Sequence, residues 1–484
     1  MSTTRFQSQT ESQIDGQGPK VHVVTFGCQM NKYDSTLAEG RFKAKGYTTT
    51  ASMDDADVVL FNTCSVREHA EERTYSWLGE IKRAKEARPE LVIGVMGCMA
   101  QRVENEVFRR AGHVDLVVGT REFQRIPELV EEVRERRANP DKYSKKERRI
   151  LATDGEVEVE VDRSDETYTG GTQAFLAVMR GCDLSCTYCI VPTTRGKVKS
   201  RPMDSLLREA RWLVGQGVTV LTLLGQTVNS YGEDFPKPLE GEAHYLGRQG
   251  RPALADLLNE LQKIEGLQRI RLITLHPAYV TEALAHSIRD NDKVDRFLPL
   301  PAQAGSDSIL RAMKRGYTLE LYRDRIAMLR SIVPDIELGS DWIVGFPGET
   351  EEDFEGSLAF MDEVGFVVNY IFKYDPRPTT KSAEAMSDDI TTAVKKERNQ
   401  RMLQLSARIG LRRMSAYVGQ VVEAFLEEPS ERFSGSLSGR TVHGLPINTK
   451  ADDSLVGTLV RIRVNEATAY GMSGELVTDE VAAG

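Results

Sequence analysis

Short apolar runs recur along the first third of the chain, and each of the first three ends at a cysteine. They are VHVVTFGC from Val21, DVVLFNTC from Asp57 and LVIGVMGC from Leu91, and a fourth run, VDLVVGT, starts at Val114. Helix-like polar stretches separate them, so the pattern predicts an open parallel α/β sheet over residues 20–137. Ligand sites of such sheets lie at the carboxyl ends of the strands.

A second series of apolar runs, within residues 168–406, alternates with amphipathic helical stretches. About six βα units follow from runs that start at Ala174, Val218, Arg269, Arg296, Ile336 and Val367. The pattern predicts a partial (β/α)6 barrel, in which chemistry takes place at the C-terminal ends of the strands. Residues 410–478 show short alternating strands with glycine turns, which predict a small β-barrel of the kind that binds oligonucleotides. The fold class is therefore α/β with a C-terminal β-barrel.

The remaining segments are polar. Residues 1–19 are rich in Ser, Thr and Gln and are predicted to be disordered, and residues 138–167 are predicted to be a charged linker with a short exposed strand. The most basic stretch, residues 134–149, fits a solvated helix face as well as it fits an RNA contact. The C-terminal barrel region is not net basic, so RNA binding and a structural cap on the larger barrel are both open for it.

Composition narrows the class of protein. The chain has 484 residues, 40% of them hydrophobic, which suffices for two or three globular domains. A net charge of −9 argues against binding nucleic acid through bulk charge, although a local basic patch can supply phosphate contacts. No apolar stretch approaches the length of a membrane span, and the polar N-terminal segment lacks the features of a signal peptide. We therefore expect a cytoplasmic protein without membrane attachment, whose thiols stay reduced.

The loop GCDLSCTYCIVP carries three closely spaced cysteines. Cys182, Cys186 and Cys189 form the pattern C-x3-C-x2-C. Three thiolates this close are typical of a cubane iron–sulfur cluster with one iron left open. A zinc site is the alternative, but structural zinc usually takes a fourth ligand and pairs two short Cys/His elements. The nearest further His or Cys residues are His113 and His244, so the pattern favours a cluster.

Cys28, Cys64 and Cys98 repeat the theme in a dispersed form. Each follows a predicted strand, so the fold would bring all three to one edge of one sheet. Three buried small hydrophobic side chains are one alternative reading. Disulfides are another, but the chain gives no secretory context for them. The repeated strand-end position favours a second three-cysteine cluster.

With these motifs the chain resembles the methylthiotransferase branch of the radical S-adenosylmethionine (SAM) superfamily. The resemblance rests on the aromatic Tyr188 before the last cysteine and on a layout of methylthiotransferase domain, radical SAM core and TRAM domain. IVPTTRGKVKSRP from Ile190 and DWIVGFPGET from Asp341 also match the core. Within the branch, the chain resembles the members that modify isopentenylated adenosine in tRNA. The motifs that match these members are GCQMNKYDS from Gly27, NTCSVRE from Asn62, GCMAQR from Gly97 and LLGQTVNSYG from Leu223.

The resemblance implies an enzyme with two [4Fe-4S] clusters and SAM as cofactors. The cluster on Cys182, Cys186 and Cys189 would cleave SAM to a 5′-deoxyadenosyl radical that removes hydrogen from C2 of the adenine. The cluster on the other three cysteines would hold the sulfur that is methylated by a second SAM and transferred. No catalytic side chain is implied beyond the two clusters. The implied partners are the anticodon stem-loop of tRNA, an electron donor and a sulfur donor, and we expect a monomer.

The resemblance also suggests five residues that would line the SAM pocket. Each of these residues fits ordinary packing inside the barrel equally well. They are Tyr188, Gly225, Gln226, Gln303 and Asp341. Two segments depart from the family pattern and affect what can be expected of the substrate pocket. They are LPAQAGSDS, with Ala302 and Ala304, and YDPRPTTKSAEAM, residues 374–386.

Three rival functions stay open at this point. The same chemistry would act on threonylcarbamoyl-adenosine in tRNA or on a ribosomal-protein aspartate, although Gln29, Met30 and Asn31 weigh against both. A non-catalytic iron–sulfur sensor that binds RNA is the second, and it would need neither an open iron in each cluster nor a full barrel. A zinc-bound RNA-binding protein is the third.

Overall fold

The computed structural model describes residues 18–65, 68–156, 170–242 and 244–477, without the side chains of residues 68–70. The chain divides into two compact units. The N-terminal unit holds the chain up to Gly170 together with Arg180–Cys182 and Ile190–Lys197, and the C-terminal unit holds the rest. Residues 1–17 and 157–169 lie outside the described residues, and with them lie most of the expected disordered tail and the expected exposed strand.

A six-stranded sheet, parallel throughout, forms the centre of the N-terminal unit, in the order β2-β1-β3-β4-β5-β6. Its strands are β1 (Lys20–Thr25), β2 (Thr48–Thr49), β3 (Val58–Thr63), β4 (Val92–Gly97), β5 (Leu116–Val118) and β6 (Ile150–Ala152). Its helices are α1 (Gln29–Ala44), α2 (Glu68–Ala87), α3 (Cys98–Val103), α4 (Asn105–Arg110) and α5 (Ile126–Ala138). The four predicted apolar runs all form strands.

Both faces of this sheet are covered by apolar side chains. Two neighbouring residues of β4 explain why its sequence is apolar at successive positions. Met96 belongs to the core on one face of the sheet, and Val95 belongs to the core on the other face. Successive strand residues point to opposite faces, so a strand buried on both sides needs apolar residues at every position. Strand β6 lies within the predicted linker. Its three residues are too few to carry a recognisable pattern.

The cysteine loop is bordered by β8 (Met179–Arg180), α6 (Val191–Arg195) and β9 (Lys199–Ser200). Six parallel strands of the C-terminal unit form the predicted partial barrel. They are β7 (Gln173–Ala177), β10 (Val220–Leu224), β11 (Arg269–Leu272), β12 (Phe297–Pro299), β13 (Glu337–Val344) and β14 (Val368–Lys373). Two three-stranded sheets, β7-β10-β11 and β12-β13-β14, meet at a parallel bridge between Ile270 and Val294. The strands therefore follow one another in chain order, as in a (β/α) barrel.

Helices cover the outside of this partial barrel. They are α7 (Met203–Gly215), α8 (Leu254–Leu261), α9 (Glu282–Arg289), α10 (Asp307–Ala312), α11 (Leu319–Ile332), α12 (Glu351–Val364) and α13 (Lys381–Ala385). The start of α12 is fixed by a reciprocal cap: Thr350 accepts a hydrogen bond from the Asp353 N–H, and Asp353 accepts one from the Thr350 N–H. Gly365, at φ +70°, ends the helix.

A closed β-barrel follows the long helix α14 (Thr392–Ser415), in the order β15-β16-β17-β19-β18. Its strands are β15 (Val421–Pro429), β16 (Ser436–Thr441), β17 (Pro446–Lys450), β18 (Leu459–Thr468) and β19 (Gly471–Leu476). Helix α14 continues through Gly410, where a Cβ atom would lie 2.5 Å from the Ala469 carbonyl oxygen. Glycine there lets the helix pack against the turn between β18 and β19. The predicted fold class, including the small C-terminal barrel, is confirmed.

A membrane-spanning helix would have to be both long and apolar, and none of the helices described above satisfies both conditions.

Candidate active site

Cys28, Cys64 and Cys98 follow three adjacent strands of the N-terminal sheet. Cys64 directly follows β3, Cys98 directly follows β4, and Cys28 precedes the first residue of α1, three positions after β1. Because β1, β3 and β4 are parallel neighbours, their carboxyl ends lie at the same edge of the sheet. Cys64 and Cys98 are buried, whereas Cys28 is exposed.

Two glycines allow the backbone to approach closely at this edge. A Cβ atom at Gly27 would lie 2.6 Å from the Cβ of Cys64 and 3.1 Å from its Sγ. At Gly97, φ is +101°, and a Cβ atom would lie 2.5 Å from the Asn62 side-chain oxygen. Any larger residue at either position would push neighbouring strand ends apart. The Gly-Cys pairs of the sequence motifs therefore serve close packing of the three strand ends.

Asn31 connects these strand ends from the first turn of α1. Its fully buried Nδ2 donates to the carbonyl oxygens of Thr63 at 2.8 Å and Phe26 at 3.1 Å. The Cys28 thiol donates to the Asn31 Oδ1 over 3.4 Å. The asparagine of the CQMN motif thus fixes Cys28 relative to the end of β3.

A buried charge network adjoins the same cysteines, and the sequence analysis did not identify it. Asp34, on α1, is completely buried and accepts hydrogen bonds from Arg180 at 3.1 Å and Arg195 at 2.9 Å. Arg195 also donates to the Asn31 Oδ1 at 3.2 Å. Burial raises the pKa of the Cys98 thiol, while Arg195 opposes the shift. All of these residues belong to the N-terminal unit.

The donor set at this edge fits an iron–sulfur cluster better than a single metal ion. Nowhere in the described ranges do three His, Cys, Asp or Glu side chains group as ligands of one ion. Ligands of one zinc ion must all lie about 2.3 Å from the same atom. A cubane cluster takes each thiolate on a different iron and so accepts a wider arrangement. None of the six cysteines forms a disulfide.

The second set of cysteines lies in the loop between β8 and α6. The Cys189 N–H donates to the Cys186 carbonyl oxygen at 3.1 Å, which forms a tight turn. Within the C-terminal unit, the Thr187 N–H donates to the Met313 carbonyl oxygen at 3.0 Å and anchors that turn. The buried position of Cys186 follows from this packing.

Arg315 is a further residue that the sequence analysis missed. It is 7% exposed, and its guanidinium donates to the Cys186 sulfur and to the Tyr188 hydroxyl, each over 3.4 Å. Its Nε donates to the Tyr317 hydroxyl at 3.2 Å. Burial works to lower the pKa of Arg315, but Tyr188, Tyr317 and Cys186 outweigh it and raise that pKa. A permanent positive charge therefore lies beside one of the predicted cluster ligands. The KRGYT turn, with Lys314 at φ +53° and Gly316 at φ +72°, was the available signal.

Four of the residues expected to line a SAM pocket lie in or after barrel strands of the C-terminal unit, and the fifth, Tyr188, lies in the cysteine loop. Gly225 and Gln226 directly follow β10, and Asp341 lies within β13. A Cβ atom at Gly225 would lie 2.5 Å from the Met179 side chain, so this glycine has a packing reason of its own. The Oε1 atom of Gln226 is buried and makes no hydrogen bond within the described residues. Such an orphaned acceptor fits a ligand that carries N–H or O–H donors, as SAM does.

Gln303 lies just beyond β12 with a left-handed backbone, at φ +70°. Its N–H donates to the Asp341 carbonyl oxygen, and its own carbonyl oxygen accepts from the Ile343 N–H, both at 2.9 Å. Ala302 and Ala304, which depart from the family pattern, are 0% and 1% exposed. Small buried residues therefore flank this strained position. In the other departing segment, the Tyr374 hydroxyl donates to Ser382 at 3.0 Å.

His276, which follows β11, was also missed. Its ring centre lies 5.2 Å from that of Tyr317 and 5.6 Å from that of Tyr279. Burial, together with the nearby Arg315, lowers the pKa of His276 to about 3. The ring is therefore neutral at physiological pH, and its Nδ1 accepts from the Ala278 N–H at 3.3 Å.

Comparisons with known proteins agree with this architecture. The profile described as Uncharacterized protein family UPF0004 matches residues 20–119, and that of the Radical SAM superfamily matches residues 176–361. Among solved structures, the radical S-adenosylmethionine methyltransferase TsrM from Kitasatospora setae is 15% identical. That likeness has a TM-score of 0.53, covers 76% of this chain and 77% of TsrM, and shows the fold alone.

Curated relatives extend over nearly the whole chain. Proteins named tRNA-2-methylthio-N(6)-dimethylallyladenosine synthase are 40% identical in Moorella thermoacetica and 40% identical in Acetivibrio thermocellus. Each of these matches covers 94% of this chain, with 98% and 90% of the relative. The relative from Rhodopirellula baltica is 37% identical over 95% of this chain. The chain belongs to the tRNA-2-methylthio-N(6)-dimethylallyladenosine synthase family within the radical SAM superfamily.

Proposed function

We propose that the protein is a methylthiotransferase that converts N6-(dimethylallyl)adenosine in tRNA, the isopentenylated adenosine next to the anticodon, to its 2-methylthio derivative. One observation carries the proposal: a chain of this family keeps two complete three-cysteine sets, one after parallel strands of the N-terminal sheet and one in the loop after β8. The enzyme uses SAM and [4Fe-4S] clusters. When bound, these groups supply a carbon-centred radical strong enough to remove hydrogen from an unactivated C–H bond.

In the cysteine loop between β8 and α6, hereafter the barrel loop, Cys182, Cys186 and Cys189 would hold the cluster that acts on SAM. Three thiolates would occupy three irons of a cubane cluster, and the free iron would supply a binding position for SAM. Arg315 donates to the Cys186 sulfur and fixes the Tyr188 hydroxyl beside it. The residues of the chain thus bind and orient the cofactors, and this positioning is their share of the rate enhancement.

Gly225, Gln226, Gln303 and Asp341, together with Tyr188, would form the walls of the SAM pocket. Support comes from their positions at or next to strands β10, β12 and β13 and from the unsatisfied Oε1 of Gln226. Such a buried acceptor costs free energy until a donor reaches it. A donor group of SAM would remove that cost.

On the N-terminal sheet, Cys28, Cys64 and Cys98 would hold the second cluster. Because this site also offers three thiolates, a cluster held here would keep one iron free, which would supply a binding position for the sulfur of the methylthio group. Asn31 and the two glycines keep the three strand ends in contact. The chain here supplies a rigid thiolate cradle, and no acid or base is required from it.

The C-terminal barrel would hold the anticodon stem-loop. Its surface carries two exposed aromatic side chains, Phe433 at 52% and Tyr470 at 73% exposure, and the exposed cations Arg461 and Arg463. Aromatic rings stack on unpaired bases and cations contact phosphates, which is how small β-barrels bind single-stranded RNA. To reach the proposed SAM pocket in the partial (β/α) barrel, the target base must leave its stack, at a cost of roughly a few kcal/mol. We further propose a cytoplasmic monomer that depends on separate electron-donor and sulfur-donor proteins.

Anaerobic turnover tests the proposal. The reconstituted protein is incubated with SAM, a reductant and tRNA that carries N6-(dimethylallyl)adenosine, and the digested nucleosides are weighed by mass spectrometry. We expect a mass gain that equals one methylthio group in place of one hydrogen on that nucleoside. Cleavage of SAM without this gain would keep the radical chemistry and reject the substrate. Intact clusters without SAM cleavage would reject the enzyme and favour an iron–sulfur sensor.

A further inference from the structure

We infer that Arg195 tunes the cluster site of Cys28, Cys64 and Cys98 as a positioning residue, and that Asp34 holds its guanidinium beside Cys98. The inference rests on the proposed function only in taking these three cysteines as ligands of one cluster. It assigns to the N-terminal site an electrostatic device made of residues that are not ligands.

The geometry leaves Arg195 little freedom. The side chain is 5% exposed, and it donates to the Asp34 carboxylate at 2.9 Å and to the Asn31 Oδ1 at 3.2 Å. Its charge lies close enough to Cys98 to oppose the rise that burial causes in the pKa of that thiol. Asn31 accepts the Cys28 thiol with the same Oδ1 atom. One guanidinium therefore acts on Cys98 through its charge and bonds the same Asn31 amide that Cys28 contacts.

The charges in this network do not cancel. Asp34 is fully buried and faces two guanidinium groups, since Arg180 bonds its other oxygen at 3.1 Å. These three side chains together carry one excess positive charge. A buried charge is costly unless an opposite charge meets it, and the thiolates of the cluster site supply that charge.

Such a charge acts on the cluster itself. Hydrogen bonds to cluster sulfurs and burial are among the factors that set the reduction potential of iron–sulfur centres. Reduction adds one negative charge, which a nearby guanidinium stabilises, and the low internal dielectric strengthens the effect. Arg195 should therefore raise the potential of this cluster, while Asp34 should partly offset that effect.

The test uses the full-length chain with Cys182, Cys186 and Cys189 changed to alanine, so that one cluster is present. Its midpoint potential is measured by redox titration followed by electron paramagnetic resonance. We expect Arg195→Gln to lower the ratio of reduced to oxidised cluster about tenfold at a fixed potential. For a one-electron couple this is a shift of about 59 mV to lower potential. Arg195→Lys, which keeps the charge, should keep the potential close to that of the parent chain.

Asp34→Asn tests the opposite change in charge, and its potential can still be measured if the Arg195→Gln variant binds no cluster. Removal of the carboxylate leaves the guanidinium uncompensated, so the potential should rise. An unchanged or lower potential in Asp34→Asn would overturn the inference.

Arg102→Gln is the matched control. Arg102 is a similarly buried arginine of the same unit that pairs with Glu71 and donates to Ser65, the residue after Cys64. Its removal should leave the potential nearly unchanged. A shift as large as that of Arg195→Gln would mean a general charge effect and would also overturn the inference. Iron and sulfide analysis separates both outcomes from failure of the proposed function, in which the parent chain with its three alanines would bind no cluster.

Discussion

The two proposed cysteine sites would reach the same ligand count by different routes. Cys182, Cys186 and Cys189 follow one another within one short loop, so they are neighbours in the sequence. On the N-terminal sheet, Cys28, Cys64 and Cys98 are delivered by three strands and meet because those strands are parallel neighbours. The first site depends on a loop, whereas the second depends on an entire sheet. Mutations that disturb packing should therefore affect the second site more.

The sites also differ in how a buried arginine is balanced. Arg195 is paired with the carboxylate of Asp34. Within the described residues, Arg315 bonds tyrosine hydroxyls, the Pro301 carbonyl oxygen and the Cys186 sulfur, and it forms no salt bridge to a carboxylate. An unbalanced buried cation suits a site that receives an anionic group, such as the carboxylate of SAM. Arg195 thus has a carboxylate partner from the chain itself, whereas Arg315 has none within the described residues.

Cys186→Ala should have the largest effect on chemistry. Loss of one of three thiolates in the barrel loop removes the cluster that acts on SAM, so SAM cleavage should fall to background. The measurement is 5′-deoxyadenosine formed under anaerobic reducing conditions. Cleavage at the wild-type rate would contradict the assignment of this loop.

Cys64→Ala should separate the two sites. It leaves the barrel loop unchanged, so some SAM cleavage should persist, while methylthio transfer should be lost because the N-terminal cluster lacks a ligand. Both products are measured in the same reaction, by 5′-deoxyadenosine and by nucleoside mass. Full methylthiolation by Cys64→Ala would mean that the N-terminal cysteines hold no required cluster.

Alanine at one glycine of each site tests the dependence on packing. At Gly97 the new Cβ meets backbone atoms of Thr63 and the Asn62 side chain, and φ is +101°, so we expect a loss of about 3 kcal/mol or more in the free energy of unfolding. At Gly225 the new Cβ meets the flexible Met179 side chain, and the expected loss is about 1–2 kcal/mol.

Gly46→Ala is the control for backbone strain without a collision. Gly46 has φ +83° and no atom within 4 Å of a new Cβ, so its loss should be about 1 kcal/mol. Denaturant unfolding gives all three values. If Gly225→Ala cost more than Gly97→Ala, the claim that the N-terminal site depends more strongly on close packing would be wrong.

The sequence predicted those parts of the fold and site that have a local pattern. The apolar runs before Cys28, Cys64 and Cys98 predicted the strands, which are confirmed. The cluster that the loop spacing indicates on Cys182, Cys186 and Cys189 stays a prediction. Arg195 and Asp34 escaped because they are 161 residues apart, and nothing in either local pattern indicates that they meet. His276 and Arg315 escaped for the same reason. A polar residue acquires its role when tertiary packing removes water and supplies a partner, which no periodicity encodes.

Buried titratable groups should make the stability of the two units depend on pH in opposite directions. The group in the N-terminal unit is Glu39 on α1. Burial raises the pKa of Glu39 to about 7 from 4.5, although Lys43 opposes the shift. The folded chain disfavours the charged form, so stability is lost as pH rises from 4.5 through about 7. Between pH 5.5 and 8 this amounts to roughly 2 kcal/mol. Glu39→Gln should remove that loss, as measured by denaturant unfolding at both pH values. An unchanged pH dependence would show that Glu39 titrates normally.

His276 in the barrel should respond with the opposite sign and a smaller amplitude. Its folded pKa of about 3 lies below the ordinary 6.5, so stability is present above pH 6.5 and is lost as pH falls toward 3. From pH 8 to 5.5 the wild type should lose roughly 1 kcal/mol through this group. His276→Asn keeps an acceptor for the Ala278 N–H and should not show that loss. Wild type and variant are compared at the two pH values, so any effect of pH on the clusters is common to both. A variant that lost as much stability as the wild type would mean that the His276 ring takes up a proton in the folded barrel. The contrast in pH response between the two units would then rest on Glu39 alone.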